Sequence, residues 1–379
     1  MTNFWWNNAQ RLVDTLEADG YLADPHWRQA FIETPRHLFL PAFFHPLPDG
    51  RWRAADTGSP DYWESVYSDT TLTTQLNGAI TPTPNTEPLA GEATSSSTQP
   101  SLMAAMLDAL SLAGSERVLE IGTGTGYNAA LLSHRLGADK VTSVEVDPTV
   151  SAVARQRLNL AGHQPTTVVG DGQQGWGSGA PYDRLIATVS VPGVPAAWLS
   201  QVRDGGVIVV SLWRDLGGGP LVRLNVDDGI AQGLFLPEAG GFMPVRSVAK
   251  ARQALSIAAK QTGVSRPATV PGEVLHEPEI ALWIALRVPV VTWLGFTPEE
   301  GGLQTWLFAA GGSWSMLDTT AGTVEQFGSR RLWDEVEHVY SLWEKAGRPT
   351  RGRLGLTATS TGQHSFWLDD PSNIQWRHS

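Results

Sequence analysis

The sequence predicts an α/β protein in which a Rossmann-like, helix-covered parallel sheet is preceded by N-terminal helices and followed by an additional α+β module. Three observations predict it. Strand and helix patterns alternate from Ser101 to Leu212. Glycines at 122, 124 and 126 stand directly between a strand pattern and a helix pattern. At 379 residues the chain exceeds one typical domain. The expected division is 1–94 as a helical and loop segment packing on the core, 95–247 as the core, and 248–379 as the added module.

The elements follow in order. Asn8 to Leu16 places Ala9, Leu12, Val13 and Leu16 on one helical face, and Asp24-Pro25 has a cap-plus-first-turn signature ahead of Trp27, Ala30 and Phe31. Pro46 to Thr98 is rich in Pro, Gly, Thr and Ser, which favours loops and short edge strands and suits a substrate-facing segment. Leu102, Met103, Met106, Leu107 and Leu110 predict a helix, and Val118 to Ile121 a buried strand. A helix over Tyr127 to Leu136 and a strand over Val141 to Val146 come next. Asp147-Pro148 opens a helix with Val150, Val153, Ala154 and Leu158 on one face. Strands at Thr166 to Val169, Arg184 to Thr188 and Val207 to Leu212, with a helix around Pro195 to Val202, complete the alternation.

After Gly217-Gly218-Gly219, the runs Leu221 to Val226 and Ile230 to Leu236 flank Asp227-Asp228-Gly229 and predict a hairpin closing the sheet, with the core ending near residue 247. Ile280 to Phe296, the most apolar stretch, is interrupted by Arg287 and Pro289, too short to span a bilayer, and predicts a buried strand pair. Arg331 to Ala346 predicts an amphipathic helix with Leu332, Val336, Val339, Tyr340 and Trp343 inward. Half of the 16 tryptophans lie beyond residue 280, as a small β-rich core requires.

Composition narrows the chemistry. With no cysteine, a disulfide framework, a thiolate zinc site and a Cys nucleophile are excluded, and no metal site is expected. A net charge of −11 argues against nucleic-acid binding, and the first ten residues lack the pattern of a secretory signal, so a cytoplasmic location and no membrane association are expected.

The turn Val118-Leu119-Glu120-Ile121-Gly122-Thr123-Gly124-Thr125-Gly126-Tyr127 lets a ligand approach the backbone closely. Glu145 ends the next strand 23 positions after Gly122, close to the offset at which an acidic side chain binds ribose hydroxyls. Asp171-Gly172 follows the third strand at the carboxyl edge of the sheet, where an Asp can accept from an adenine amino group. Helix capping for Glu145 and a plain turn at Asp171 are the competing readings; Asp147 is the better cap. A nicotinamide cofactor would also use the ribose acid, but its fingerprint prefers glycine where Tyr127 stands, and a sulfonium cofactor has less need of a phosphate-binding helix end.

Several blocks in order resemble the protein-L-isoaspartate O-methyltransferase family over roughly residues 30 to 250. They are Pro35-Arg36-His37-Leu38-Phe39-Leu40-Pro41, Tyr67-Ser68-Asp69, Ser97-Thr98-Gln99-Pro100, Val118 to Gly126, Gly170-Asp171-Gly172 and Phe242-Met243-Pro244-Val245. The resemblance implies a class I S-adenosyl-L-methionine-dependent sheet. It also implies methyl esterification of an aspartyl or isoaspartyl carboxylate, with S-adenosyl-L-homocysteine as coproduct. Gly122, Gly124, Glu145, Asp171 and Gly172 are then expected to hold the cofactor, with Thr98, Glu120, Thr123, Val146 and Thr188 completing the set. A carboxylate is ionised at neutral pH, so the acceptor needs alignment and loss of water but no general base. Ser97 and Thr98, just ahead of the helix beginning at Pro100, are assigned to orient the acceptor, against the competing reading of ordinary capping.

Thr98 in the family's serine position, together with the long C-terminal addition, looks like an actinobacterial subgroup that tailors ribosomal peptides in lanthipeptide and ATP-grasp graspetide pathways. There an Asp ester in a cyclised peptide closes to a succinimide (aspartimide), which persists or hydrolyses to isoaspartate. The expected partner is therefore a modified precursor peptide recognised by residues 248–379. General isoaspartyl repair is the alternative, and a nicotinamide oxidoreductase or a non-catalytic cofactor-binding module is more distant. The oligomeric state is not legible.

Overall fold

A computed structural model describes residues 3–83, 87–214, 216, 219–242, 261–288, 291–296, 303–309 and 311–378. Most of the block Phe242 to Val245 and two of the three glycines at 217–219 lie outside the described residues.

The helix Asn3–Ala18 buries Ala9, Leu12, Val13 and Leu16, and Asp24 caps the helix Pro25–Glu33 by accepting from the His26 N–H. Four short strands follow: β1 (Ala42–Pro46), β2 (Trp52–Asp56), β3 (Leu72–Leu76) and β4 (Ala93–Ser97). They form an antiparallel sheet in the order β2-β1-β3-β4, so β4 is an edge strand. It feeds directly into the helix Pro100–Ala109.

The central sheet is built on β5 (Val118–Ile121), β6 (Val141–Glu145), β7 (Thr166–Val169), β8 (Tyr182–Val191) and β9 (Val202–Leu212), all paired in parallel. Helices Tyr127–Leu136, Pro148–Leu160 and Ala196–Gln201 connect them. In the helix Pro148–Leu160, Ser151 rather than Val153 joins Ala154 and Leu158 inside; Val153 is exposed.

β10 (Pro220–Asp227) and β11 (Ile230–Ala239) form the expected hairpin, turning through Asp228 and Gly229, both with positive φ. The hairpin does not close the sheet. β11 pairs onward with β17 (Leu354–Thr359), then β18 (His364–Leu368) and β19 (Ile374–His378), giving ten strands in the order β19-β18-β17-β11-β10-β9-β8-β5-β6-β7. The hairpin pattern specifies only the pairing of its own two strands. Which chain segment covers the outer edge is a long-range choice that local periodicity does not carry.

Between β11 and β17, the strands β12 (Val264–Pro267), β13 (Val291–Phe296), β14 (Gln304–Ala309), β15 (Trp314–Asp318) and β16 (Thr323–Phe327) form a second antiparallel sheet. It packs against the helix Leu332–Lys345, which buries Leu332, Trp333, Val336, Val339 and Trp343. The apolar run from Ile280 is a helix, Pro278–Arg287, followed by β13, rather than a strand pair. Ile280 and Leu282 to Leu286 are all buried, so the helix is apolar nearly all round and shows no stripe; Pro278 in its first turn was the available start signal.

Period-two alternation sends opposite faces of the central strands into different cores. Leu119, Leu185, Ile208, Val210 and Leu224 join Trp283, Trp333, Leu354 and Phe366 of the C-terminal part. Val118, Ile186, Val207, Val209 and Leu221 instead pack with the N-terminal helices and with Met106, Leu107 and Leu131. Among the described residues no helix is long and apolar enough to cross a membrane.

Candidate active site

The glycine turn closes β5. Gly122, Gly124 and Gly126 have φ of 94°, 53° and 89°, a region open to glycine and costly for residues with a Cβ. Space gives a second reason. A Cβ on Gly122 would lie 2.8 Å from Val189, and one on Gly124 would touch the Ser96 carbonyl oxygen at 3.4 Å. Thr188, in β8 just past its pairing with β5, holds the turn from beside it, its hydroxyl donating to the carbonyl oxygens of Gly122 (2.7 Å) and Ile121 (3.2 Å).

Beneath the turn lies a buried polar network, in which Asn128 Oδ1 has no hydrogen-bond partner among the described residues. Glu120 is fully buried and accepts from Asn128 Nδ2 (2.7 Å) and from the Ser143 hydroxyl, which also bonds Thr123 Oγ1 (2.6 Å). Burial pushes the Glu120 carboxyl up to about 7, against the opposing effect of these two hydrogen bonds.

Glu145 stands at the end of β6 with its side chain turned back to the glycines. Its Oε2 accepts from the Gly124 N–H (3.0 Å) and its Oε1 from the Asp147 N–H (3.1 Å). Helix capping belongs to Asp147, whose Oδ1 accepts from the N–H groups of Thr149 and Val150. β6 and β7 pair with Glu145 opposite Val169, and the Gly170 N–H donates to the Glu145 carbonyl oxygen (2.9 Å), so the acidic positions sit at neighbouring strand ends. Asp171 caps the short 3-10 turn Gly172–Gln174, and Trp198, fully buried, donates from Nε1 to the Gly172 carbonyl oxygen (2.8 Å). A Cβ on Gly172 would overlap Ile121 at 2.5 Å.

These parts enclose a cavity of about 540 Å³ between the central sheet and β4. Of the residues expected at the site, Ser97, Thr98, Gly122, Thr123, Gly124, Glu145, Val146, Gly172 and Thr188 all line it. Two do not: Glu120 is sealed one layer below, and Asp171 is exposed beside the lining residue Gly172. All four residues of β5 are buried and successive side chains point to opposite faces, so Glu120 turns away from the face on which Ile121 lines the cavity.

The opposite wall is a run of hydroxyl side chains, Thr94 to Thr98, joined by Thr71 and Thr73. The Ser97 hydroxyl is buried, its residue 3% exposed, and has no hydrogen-bond partner among the described residues. Glu145 is the one charged side chain among the described lining residues; no Lys, Arg or His is present there.

Arg36 and Asp69 were legible as motif residues, but their task was not. Arg36, fully buried, donates to the carbonyl oxygens of Val66, Ser68, Thr70 and Thr98 at 2.9–3.1 Å. Asp69 accepts from the Ser101 N–H (2.8 Å) and from Gln99 Nε2 (2.9 Å), supplying to the helix Pro100–Ala109 a cap that its own N-cap residue, Gln99, does not make. Asn128 and Ser143 were also missed. A serine inside the buried pattern Val141 to Glu145 was the available signal.

A glycine turn after the first parallel strand, an acidic residue ending the next, and a cavity at the carboxyl ends of the strands define a class I S-adenosylmethionine-dependent methyltransferase. A family model for protein-L-isoaspartate(D-aspartate) O-methyltransferase (PCMT) matches residues 60–216. A protein-L-isoaspartate O-methyltransferase from Ignicoccus hospitalis is 30% identical over 239 residues, 62% of this chain and 96% of that protein. One from Myxococcus xanthus is 38% identical over 159 residues, 42% of this chain and 73% of its own length. A solved structure named protein-L-isoaspartate O-methyltransferase shares the fold, with a TM-score of 0.55 at 23% identity, over 96% of this chain and 100% of that one. The chain belongs to the protein-L-isoaspartate O-methyltransferase family, which makes it an S-adenosylmethionine-dependent carboxyl O-methyltransferase.

Proposed function

We propose that this chain esterifies the free carboxylate of isoaspartyl residues in peptides and proteins. The observation that carries the reading is the cavity itself: a glycine turn with one carboxylate on one side, and a wall of hydroxyls without a cation on the other. The residues present fit the cofactor. Glycines 122, 124 and 172 line the cavity without side chains, so a ligand can approach their backbone closely, and Ser97 offers a buried hydroxyl without a partner among the described residues.

When bound, S-adenosylmethionine supplies an electrophilic methyl group on a positively charged sulfur. Glu145 keeps free lone pairs on both oxygens to accept from ribose hydroxyls, while Gly172 and the 47% exposed Val146 offer backbone and apolar surface to a planar base. Thr123, Gly122 and Gly124 would border its methionyl part, and Thr188 keeps the turn in shape. Ser97 and Thr98 orient the acceptor. A hydroxyl can hold a carboxylate by one neutral donor, whereas a buried Lys or Arg would stabilise its charge before reaction and raise the barrier. The acceptor is already ionised at neutral pH, so the absence of a base from the described lining is no obstacle.

A second reading makes the acceptor an aspartate of a ribosomally made, macrocyclic peptide, with succinimide or isoaspartate as the outcome and residues 248–379 as the recognition module. Thr98 at the family's serine position favours it. The solved structure named protein-L-isoaspartate O-methyltransferase weighs the other way, because it covers 96% of this chain, the C-terminal part included. Incubation with methyl-labelled S-adenosylmethionine separates them. The first reading expects a base-labile ester on a generic isoaspartyl peptide, and loss of cofactor affinity by about tenfold or more in Glu145→Ala. Labelling of macrocyclic aspartyl peptides alone would establish the second, and cofactor binding without esterification of either peptide would sink both.

A further inference from the structure

Gln99 follows Thr98 and lines the cavity. Its side-chain nitrogen donates to Asp69 Oδ2 (2.9 Å) and to Ser101 Oγ (2.9 Å). A primary amide carries two N–H donors, so both are taken. The orientation of this amide is chemically determined: the Asp69 carboxylate only accepts, and its other oxygen already accepts from the Ser101 N–H (2.8 Å). The nitrogen therefore faces Asp69, and the oxygen, Oε1, faces away with no hydrogen bond from any described residue. Asp69 cannot drift to relieve this arrangement, because Arg36 grips the carbonyl oxygens of Ser68 and Thr70 on either side of it and that of Thr98 as well.

Gln99 thus presents a fixed acceptor beside two hydroxyls, Ser97 and Thr98, that can donate. Such a pairing sorts a ligand that carries an anion next to an N–H group. Lone pairs on Oε1 repel a carboxylate and send it toward the hydroxyls, while an amide hydrogen nearby is drawn to Gln99. We propose that Gln99 is a specificity-determining residue whose amide oxygen accepts a backbone N–H of the acceptor peptide next to the reacting carboxylate, with Asp69 as its positioning residue. The proposal rests on the reading of this cavity as a peptide carboxyl methyltransferase site. It distinguishes a peptide, which has the amide, from a free dicarboxylic acid, which does not.

The test measures kcat and KM for an acceptor peptide on the full chain, after cofactor binding and turnover of that peptide by the wild type are established. Failure at that first stage counts against the underlying reading rather than this inference. Peptides N-methylated at each amide flanking the acceptor residue are then compared with the parent. One of them should show a KM raised about tenfold on the wild type, the worth of one hydrogen bond. Gln99→Met should raise KM for the parent by a similar factor, leave cofactor affinity within about twofold, and be insensitive to that N-methylation. Asp69→Asn should turn the Gln99 amide around and raise KM likewise, because the substituted side chain would then donate toward Gln99. Combining Asp69→Asn with Gln99→Glu should restore the sensitivity to that N-methylation, since the carboxylate introduced at position 99 accepts from the amide introduced at position 69 and from Ser101 and again offers an acceptor, while its charge keeps KM for the anionic peptide above the parent value. A helix cap alone predicts no rescue and no link to a substrate amide. If every N-methylated peptide matches the parent on the wild type, or if the Gln99 variant weakens the cofactor as much as the peptide, the proposal is overturned.

Discussion

The carboxyl group of Glu120 is enclosed on all sides, and its two hydrogen bonds do not offset the cost of ionising it there. It releases its proton near pH 7 in the folded chain and near 4.5 when unfolded, so between those values the native state binds more protons. Stability attributable to this group is therefore full below about pH 4.5 and lost as pH rises to about 7. In Glu120→Gln, Oε1 can still accept from Asn128, the new nitrogen can donate to Ser143, and Ser143 can turn its proton to Thr123. The difference in Tm between Glu120→Gln and the wild type should grow in the variant's favour from about pH 4.5 to 7 and level off above, as a thermal-melt series across pH would show. A flat difference would mean the carboxyl titrates normally.

Among the elements, the glycine turn is constrained twice, by φ and by space, and the two can be separated. Gly122→Ala meets both limits: φ of 94° and Val189 at 2.8 Å. Gly162, after the helix Pro148–Leu160, has φ of 82° with nothing within 4 Å of a Cβ. Gly162→Ala should cost about 1 kcal/mol from the backbone alone, whereas Gly122→Ala should lose about 2–4 kcal/mol as strain and overlap add. Calorimetry should also find cofactor affinity reduced only in the latter. Equal effects in the two variants would show that the turn is not shaped by its neighbours.

For the molecule as a whole, the C-terminal chain is part of the central fold. β17 bonds along β11 from Ile230 to Leu234, and Trp283, Trp333, Leu354 and Phe366 share one apolar core with Leu119, Leu185 and Ile208. Truncation after residue 247 would leave the outer edge of β11 unpaired and uncover that face of the sheet. Such a chain is expected to aggregate on size-exclusion chromatography rather than elute as a folded core. A monodisperse, cofactor-binding fragment would refute this. Much of the architecture was nevertheless readable from residues 101 to 239, because alternation between periods of two and 3.6 reports which side of each strand and helix is buried. The offset from Gly122 to Glu145 put that carboxylate beside the glycine turn in the cavity, since a strand, a turn and a helix have nearly fixed lengths. What local pattern could not carry was pairing across long separations. That includes β17 on β11, Asp69 on Gln99, Arg36 on Thr98, and the side of β5 to which Glu120 turns. Each of these depends on which distant surfaces meet, and that is decided by packing of the whole chain.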